Sequence, residues 1–276
     1  MESSGGMSIL ESLILGVVQG LTEFLPVSSS GHLAILNLIF GSTAGGLDFT
    51  LLLHVGTLLA TFAFFWRDIL ALLKSLLPKN KHMVAERKMV LAILVATAVT
   101  GPIGLLLEPQ LDFLSTSLLA LGTGYFITTI MLCAAEYFTG NRGKRTPENM
   151  GVLRAAIVGL IQGIAVIPGI SRSGSTIAGG MAVGLSREKA TRYSFLLAIP
   201  VILAGALKDG LNVIQGEIVL PSAFICIVGF VASTIAGYFA ILFMVDLVKK
   251  IKLYWFAGYT AILGTVLVVL YFIGVH

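Results

Sequence analysis

Four side chains of sharply different chemistry, Glu23, Ser29, His32 and Arg172, fall inside two apolar stretches of this 276-residue sequence. The first three stand in GVVQGLTEFLPVSSSGH and the fourth in GLIQGIAVIPGISRSGS. Each group is costly in hydrocarbon unless it finds a partner or water. An acid, a hydroxyl, an imidazole and a guanidinium in such a setting therefore read first as a functional site. The bland alternative is a short polar loop between two helices at a membrane surface.

The residue types suit a phosphoryl group. Each serine cluster precedes a new apolar run, HLAILNLIF in one copy and TIAGGMAVG in the other. Ser and Gly at a helix start leave backbone N–H groups unpaired, and the helix dipole adds roughly half a positive charge there. Such an end binds anions, phosphate included. This makes Ser28, Ser30, Gly31, Ser171, Ser173, Gly174 and Ser175 candidate phosphate ligands. Arg172 adds a rigid fork of donors matched to phosphate oxygens; its structural alternative is an ion pair with Glu23.

Gln19 and Glu23 stand four apart on one helical face and can share a cation. With one carboxylate the protein holds Mg²⁺ or Ca²⁺ weakly, and a diphosphate supplies most of the remaining oxygen ligands. Ser29 becomes a nucleophile when a base takes its proton, and His32 within one turn can do so. Alternatively His32 attacks phosphorus directly and Ser29 only binds phosphate. The residues leave both routes open.

The elements that hold these groups are membrane helices. Hydrophobic residues make up 57% of the chain and charged ones 12%, against roughly 25% charged in soluble domains, and mean hydropathy is +0.97. That excludes a soluble phosphatase. The 31 glycines fit close helix packing or broken helices in a bilayer. Cys133 and Cys226 fall in apolar runs and read as packing residues. The start, MESSGGMS, lacks the basic region of a cleavable signal.

Apolar windows of crossing length, about 20 residues, lie near 48 to 66, 90 to 107, 115 to 136, 193 to 210, 221 to 245 and 254 to 273. Two further regions, 8 to 45 and 152 to 185, are apolar but interrupted, and read as re-entrant pairs of half-helices. Basic residues crowd four connections: Arg67 to Lys88, Arg142 to Arg154, Arg187 to Arg192, and Lys249 to Lys252. By the positive-inside rule these are cytoplasmic, which accounts for the net charge of +4 without a nucleic-acid partner. The acidic connections around Glu108 to Asp112 and Asp209 to Glu217 alternate with them and face outward, as do the N-terminus and His276.

The two polar stretches are copies of each other. Gly16, Gln19, Gly20, Ser28, Ser30 and Gly31 match Gly159, Gln162, Gly163, Ser171, Ser173 and Gly174 at one constant offset, and Pro26 matches Pro168 after a one-residue slip. Repeat 1 covers about 8–136 and repeat 2 about 152–273, joined by a cytoplasmic connection at 137–151. Each holds one re-entrant pair and three spans. An odd number of crossings inverts the second half, an architecture common in transporters. The copies differ where chemistry resides: Glu23 against Val166, Ser29 against Arg172, His32 against Ser175.

QGLTEFLPVSSSGH fits the pattern [E/Q]xxxE followed by PVSSxGH, and PGISRSGST fits PGxSRSGxT. Together they resemble the boxes of the undecaprenyl-diphosphate phosphatase family, of the bacitracin-resistance protein type. The likeness extends over essentially the whole chain, including YSFLLAIP at 193 to 200. It implies a bacterial inner-membrane hydrolase that removes the terminal phosphate of a polyprenyl diphosphate and recycles the lipid carrier of peptidoglycan synthesis. It also implies roles for Gln19, Glu23, Ser29, His32 and Arg172, and a divalent cation, Mg²⁺ or Ca²⁺. The first acidic position is glutamine here, which weakens any scheme with two carboxylates on the metal.

Two other classes compete. A transporter or flippase of an anionic lipid fits the inverted repeat, but has no evident need for a nucleophile and base in one copy and arginine in the other. A non-catalytic scaffold leaves the polar clusters accidental. The expected assembly is membrane-embedded, with a homodimer compatible. His54 and Thr57 on the first full span line the pocket or simply pack.

Overall fold

The computed structural model describes residues 7–41, 47–139, 143–216 and 221–274. Among the described residues every regular element is helical. In chain order these are α1 (Ile9–Phe24), α2 (Ser29–Phe40), α3 (Leu47–Ser75), α4 (Val84–Thr116), α5 (Leu118–Phe138), α6 (Val152–Ile164), α7 (Arg172–Ala182), α8 (Arg187–Gln215), α9 (Ala223–Lys250) and α10 (Tyr254–Phe272), with single 3₁₀ turns at Pro78–Asn80 and Pro147–Asn149.

Local chemistry sets the ends. A capping box starts α1: Ser8 Oγ accepts from the Glu11 amide, and Glu11 Oε2 accepts from the Ser8 amide. Pro26 ends it, because the residue before a proline is pushed out of the α region and Leu25 is extended (φ −73°, ψ 143°). Ser28, Ser117, Ser171 and Ser186 cap α2, α5, α7 and α8.

Six helices, α3, α4, α5, α8, α9 and α10, are long and apolar enough to cross a membrane. The other four have 16, 12, 13 and 11 residues. The longest reaches about 24 Å at about 1.5 Å per residue, short of a hydrocarbon core about 30 Å thick.

The helices run past the expected windows. Residues 108 to 112 lie inside α4, which continues through Pro102 and Pro109 to Thr116, so the acidic connection expected there is helical. Asp209 likewise lies inside α8, while Glu217 falls outside the described residues. Hydropathy marks only the apolar middle of a helix, whereas the helix itself continues until something stops it. Neighbouring helices also satisfy the carbonyls that an internal proline frees. Glu108 on α4 pairs with Lys208 on α8, which compensates both charges at these ends. The basic groups of the third and fourth connections are mostly helix termini too: Arg187, Lys189 and Arg192 open α8, and Lys249 and Lys250 close α9. Arg154 lies in α6. Arg142, residues 1–6 and His276 are outside the described residues.

Glycines let the short helices approach the long ones. On α1, a Cβ at Gly16 would lie 2.6 Å from the Gly229 carbonyl oxygen, and one at Gly20 2.7 Å from that of Ser233, both on α9. The matching Gly159 and Gly163 of α6 lie against Ala96 and Ile103 of α4. So α1 packs on α9 and α6 on α4, and α5 packs on α10. Such small-residue seams suit a bilayer, where association rests on close van der Waals contact. Cys133 and Cys226 are free and partly buried.

The main core lies between the halves. Phe24 at the end of α1 meets Phe195 of α8 edge-on at 5.2 Å, and Phe65 of α3 and Tyr193 of α8 are fully buried beside them. Large apolar side chains such as Leu106, Phe113, Ile214 and Trp255 remain exposed on the outside, as expected of a surface whose solvent is lipid.

Candidate active site

The α1–α2 and α6–α7 turns meet. Ser173 Oγ donates to the Leu25 carbonyl at 2.9 Å, and Gly174 lies so close to Pro26 that a Cβ there would be 3.2 Å from the ring. The convergence point is Glu23, in the last turn of α1, its side chain only 3% exposed. Its Oε1 accepts from Arg172 Nη2 at the first turn of α7. Its Oε2 accepts from Gln19 Nε2 at 2.9 Å and from Ser29 Oγ at 2.6 Å, and His54 Nε2 of α3 lies 3.4 Å away.

Ser29 is thus hydrogen-bonded to the carboxylate, not to His32. Its position follows from Ser28, the only non-glycine residue with positive φ among the described residues (φ 68°). That conformation is costly for an L-residue and clusters at functional sites. It turns the chain sharply after Val27, and Ser28 Oγ then caps α2 through the Gly31 amide at 3.3 Å. In the second copy the positive φ falls on Gly169 (90°), which carries no such cost.

His32 faces away into a tyrosine clamp. Its Nδ1 lies 2.7 Å from the Ser28 carbonyl, an acceptor only, so Nδ1 carries the proton and the neutral ring presents a lone pair at Nε2. Tyr259 OH of α10, 2.7 Å away, donates to that lone pair, with the rings 5.7 Å apart and parallel within 4°. Tyr125 of α5 lies edge-on, its OH 3.0 Å from Nδ1. Gly31 is held against the Tyr125 ring, where a Cβ would come within 2.6 Å of the hydroxyl.

The remaining predicted anion ligands divide between capping and packing. Ser171 Oγ accepts from the Gly174 amide at 3.0 Å, while its own amide donates to Thr128 Oγ1 at 2.9 Å. Ser30 Oγ lies 3.4 Å from Ser28 Oγ, and Ser173 Oγ 3.2 Å from Ser171 Oγ. Ser175 is buried, donating to Met131 Sδ at 3.5 Å, away from Glu23. Thr57 donates to the His54 carbonyl. The motifs did not point to the tyrosines. The usable signal was the Gly-Tyr pair repeated at 124–125 and 258–259, since a phenol in a membrane helix needs a partner for its hydroxyl.

The family model described as "Bacitracin resistance protein BacA" matches residues 12–266. The chain belongs to the bacitracin resistance protein family. It is 38% identical over 277 residues to an undecaprenyl-diphosphatase of Methanosphaera stadtmanae, covering 96% of this chain and 98% of the relative. It is 43% identical to one of Treponema denticola over 269 residues, covering 94% and 96%, and 40% identical to one of Bacteroides fragilis over 267 residues, covering 95% and 98%. The matched segment of this bacitracin resistance family member holds both serine turns, His54 and both clamping tyrosines.

Two polar atoms of the cluster are buried without a hydrogen-bond partner: Arg172 Nη1 and Gln19 Oε1. Such orphans call for a physical reason. A phosphate oxygen would satisfy the guanidinium atom. The Gln19 atom that touches the Glu23 carboxylate is Nε2, at 2.9 Å; a half-turn of the amide would put its oxygen there instead, giving the oxygen-rich donor set that Mg²⁺ and Ca²⁺ prefer. Among the described residues no cluster of three or more His, Cys, Asp or Glu side chains forms a closed metal site, so a cation held here shares its remaining positions with substrate or water.

Proposed function

We propose that this chain hydrolyses undecaprenyl diphosphate to undecaprenyl phosphate and inorganic phosphate, returning the lipid carrier of peptidoglycan synthesis to use. The reaction is supported by full-length relatives named undecaprenyl-diphosphatase. The site reading is carried by one observation: Ser29 donates at 2.6 Å to a carboxylate that also holds Arg172.

Glu23 takes the Ser29 proton as Oγ attacks the terminal phosphorus, and the bond from phosphorus to the bridging oxygen breaks, leaving undecaprenyl phosphate. Glu23 passes that proton to the departing undecaprenyl phosphate, then takes one from an attacking water and returns it to Ser29 Oγ as the bond from Oγ to phosphorus breaks, which releases inorganic phosphate. Arg172 moves its fork from Glu23 onto the phosphoryl oxygens, which frees the carboxylate for the proton. Ser28 and Ser171 cap the Gly31 and Gly174 amides, which leaves the earlier N–H groups of α2 and α7, with Ser30 and Ser173 beside them, to stabilise the same charge. Gln19 and Glu23 would hold a divalent cation, Mg²⁺ or Ca²⁺, which would neutralise charge on the diphosphate. His32, fixed by Tyr259 and Tyr125, serves to shape the rim rather than to attack.

The membrane placement belongs to the same reading. The pairs α1–α2 and α6–α7 are re-entrant, and the halves 8–136 and 152–273, joined through 137–151, are inverted repeats. The swapped partners support this, α1 on α9 and α6 on α4. So does the gathering of basic helix ends, where Arg192 of α8 meets Asp68 of α3 at 3.0 Å and Lys249 of α9 meets Glu188 of α8 at 3.6 Å. That end is cytoplasmic by the positive-inside rule. The site opens to the outer face of the bacterial plasma (inner) membrane, the termini lie outside, and the arrangement accommodates a homodimer.

The test is phosphate release from undecaprenyl diphosphate by purified protein in detergent, with and without Mg²⁺. Metal-dependent release with no second compartment present is expected of the hydrolase. Lipid movement between leaflets without release indicates a carrier instead.

A further inference from the structure

We infer that His54 is a third protein ligand of the divalent cation, and that its nitrogen tilts the site toward Mn²⁺ or Co²⁺ relative to Mg²⁺ and Ca²⁺. This depends on the cation reading proposed above and adds to it a residue from α3 that neither serine box contains.

The tautomer comes first. His54 Nδ1 lies 2.8 Å from the Thr50 carbonyl, which only accepts, so Nδ1 carries the proton and the neutral ring presents its lone pair at Nε2. That lone pair faces Glu23 Oε2 at 3.4 Å. Two electron-rich atoms in contact, one on a side chain 3% exposed, are unfavourable unless a positive charge joins them. A separation of this size suits two adjacent ligands of one ion, each about 2.0–2.2 Å from it.

The second donor is waiting on the same oxygen. Gln19 Nε2 lies 2.9 Å from Glu23 Oε2, and the other end of that amide, Oε1, is buried without a partner. A half-turn of the amide brings Oε1 to the carboxylate. A carboxylate oxygen, an amide oxygen and an imidazole nitrogen then converge from α1 and α3, while Arg172 occupies the opposite carboxylate oxygen, Oε1. Mg²⁺ and Ca²⁺ favour oxygen alone, whereas imidazole raises affinity for first-row transition metals. The competing arrangement is a doubly protonated His54 in a plain ion pair with Glu23, which leaves no ring nitrogen lone pair for a metal and so gives no nitrogen coupling.

The experiment uses purified full-length protein in detergent with Mn²⁺ as probe, read by pulsed electron paramagnetic resonance and by competition with Mg²⁺, and phosphate release is measured in parallel. A ¹⁴N coupling of a directly bound imidazole is expected in wild type and in His32→Gln. His54→Gln should abolish it, with Mn²⁺ affinity falling about 10–100-fold and Mg²⁺ affinity changing far less. Mn²⁺ bound without the nitrogen coupling, or an unchanged Mn²⁺ preference in a well-folded His54→Gln protein, overturns the inference and leaves the cation reading standing. Phosphate release that persists in chelator, with no Mn²⁺ bound, overturns both. Nitrogen-coupled Mn²⁺ without phosphate release by any form keeps the ligand assignment and removes the hydrolase reading.

Discussion

Ser29 donates a hydrogen bond to Glu23 across 2.6 Å, from the first turn of one helix to the last turn of the helix before it. The serine's hydrogen-bond partner is therefore a carboxylate six residues upstream, and the histidine three residues downstream is engaged elsewhere. Ser29→Ala and Glu23→Gln should each lower kcat by about 10²–10⁴-fold, the usual weight of a nucleophile's base. Rapid quench of wild type with substrate should trap a phosphate on Ser29, visible by mass spectrometry. A phosphohistidine at His32 would reverse the assignment.

The ion pair between Arg172 and Glu23 makes a prediction about stability. Removing one member of a buried pair leaves the other uncompensated, at a cost of about 3–5 kcal/mol, whereas removing both is much less harmful. Thermal unfolding in detergent should rank Arg172→Gln with Glu23→Gln above Arg172→Gln alone. Additive losses would mean that the two charges are independently hydrated.

Tyr259 should act only through His32. Tyr259→Phe removes the hydroxyl that donates to Nε2 and is expected to slow turnover, whereas in a His32→Ala background the same change should add little. A coupling energy of about 0.5–3 kcal/mol in the double-mutant cycle is the expected sign of contact, and simple additivity of the two losses would refute the clamp.

Helix seams offer a contrast between glycines. At Gly16 a methyl group meets the Gly229 carbonyl, so Gly16→Ala should destabilise by about 1–3 kcal/mol through forced separation of α1 and α9. Gly101 has nothing within 4 Å of a built Cβ, and there alanine should be neutral or add up to about 1 kcal/mol of helix propensity. Melting temperatures of the two variants provide the comparison.

The outward opening can be probed in intact cells. With Cys133 and Cys226 replaced, single cysteines at Ser30 and Ser173 should react with a membrane-impermeant thiol reagent, and substrate should protect them. Reaction only after permeabilisation would place the opening on the cytoplasmic face.

Much of this protein follows from composition and repetition alone. Among the described residues, the six helices long and apolar enough to cross a membrane, the two interrupted apolar regions and the serine caps are all local properties: runs of apolar residues set by membrane thickness, and hydroxyls placed to accept from the amide three residues on. Glu23, Ser29 and Arg172 stood out as candidates because polar groups in hydrocarbon need partners, and the structure brings the three together. Sequence spacing could not supply the pairing. His32 stands nearer to Ser29 along the chain than Glu23 does, but the positive φ at Ser28 turns the serine back toward α1, and helical rotation carries the imidazole toward α5 and α10. His54, Tyr125 and Tyr259 come from helices whose place beside the serine turns depends on glycine seams far away along the chain, so only the tertiary packing brings them to the site. The helix ends were likewise beyond hydropathy, because charges such as Glu108 and Lys208 continue their helices by pairing across the bundle.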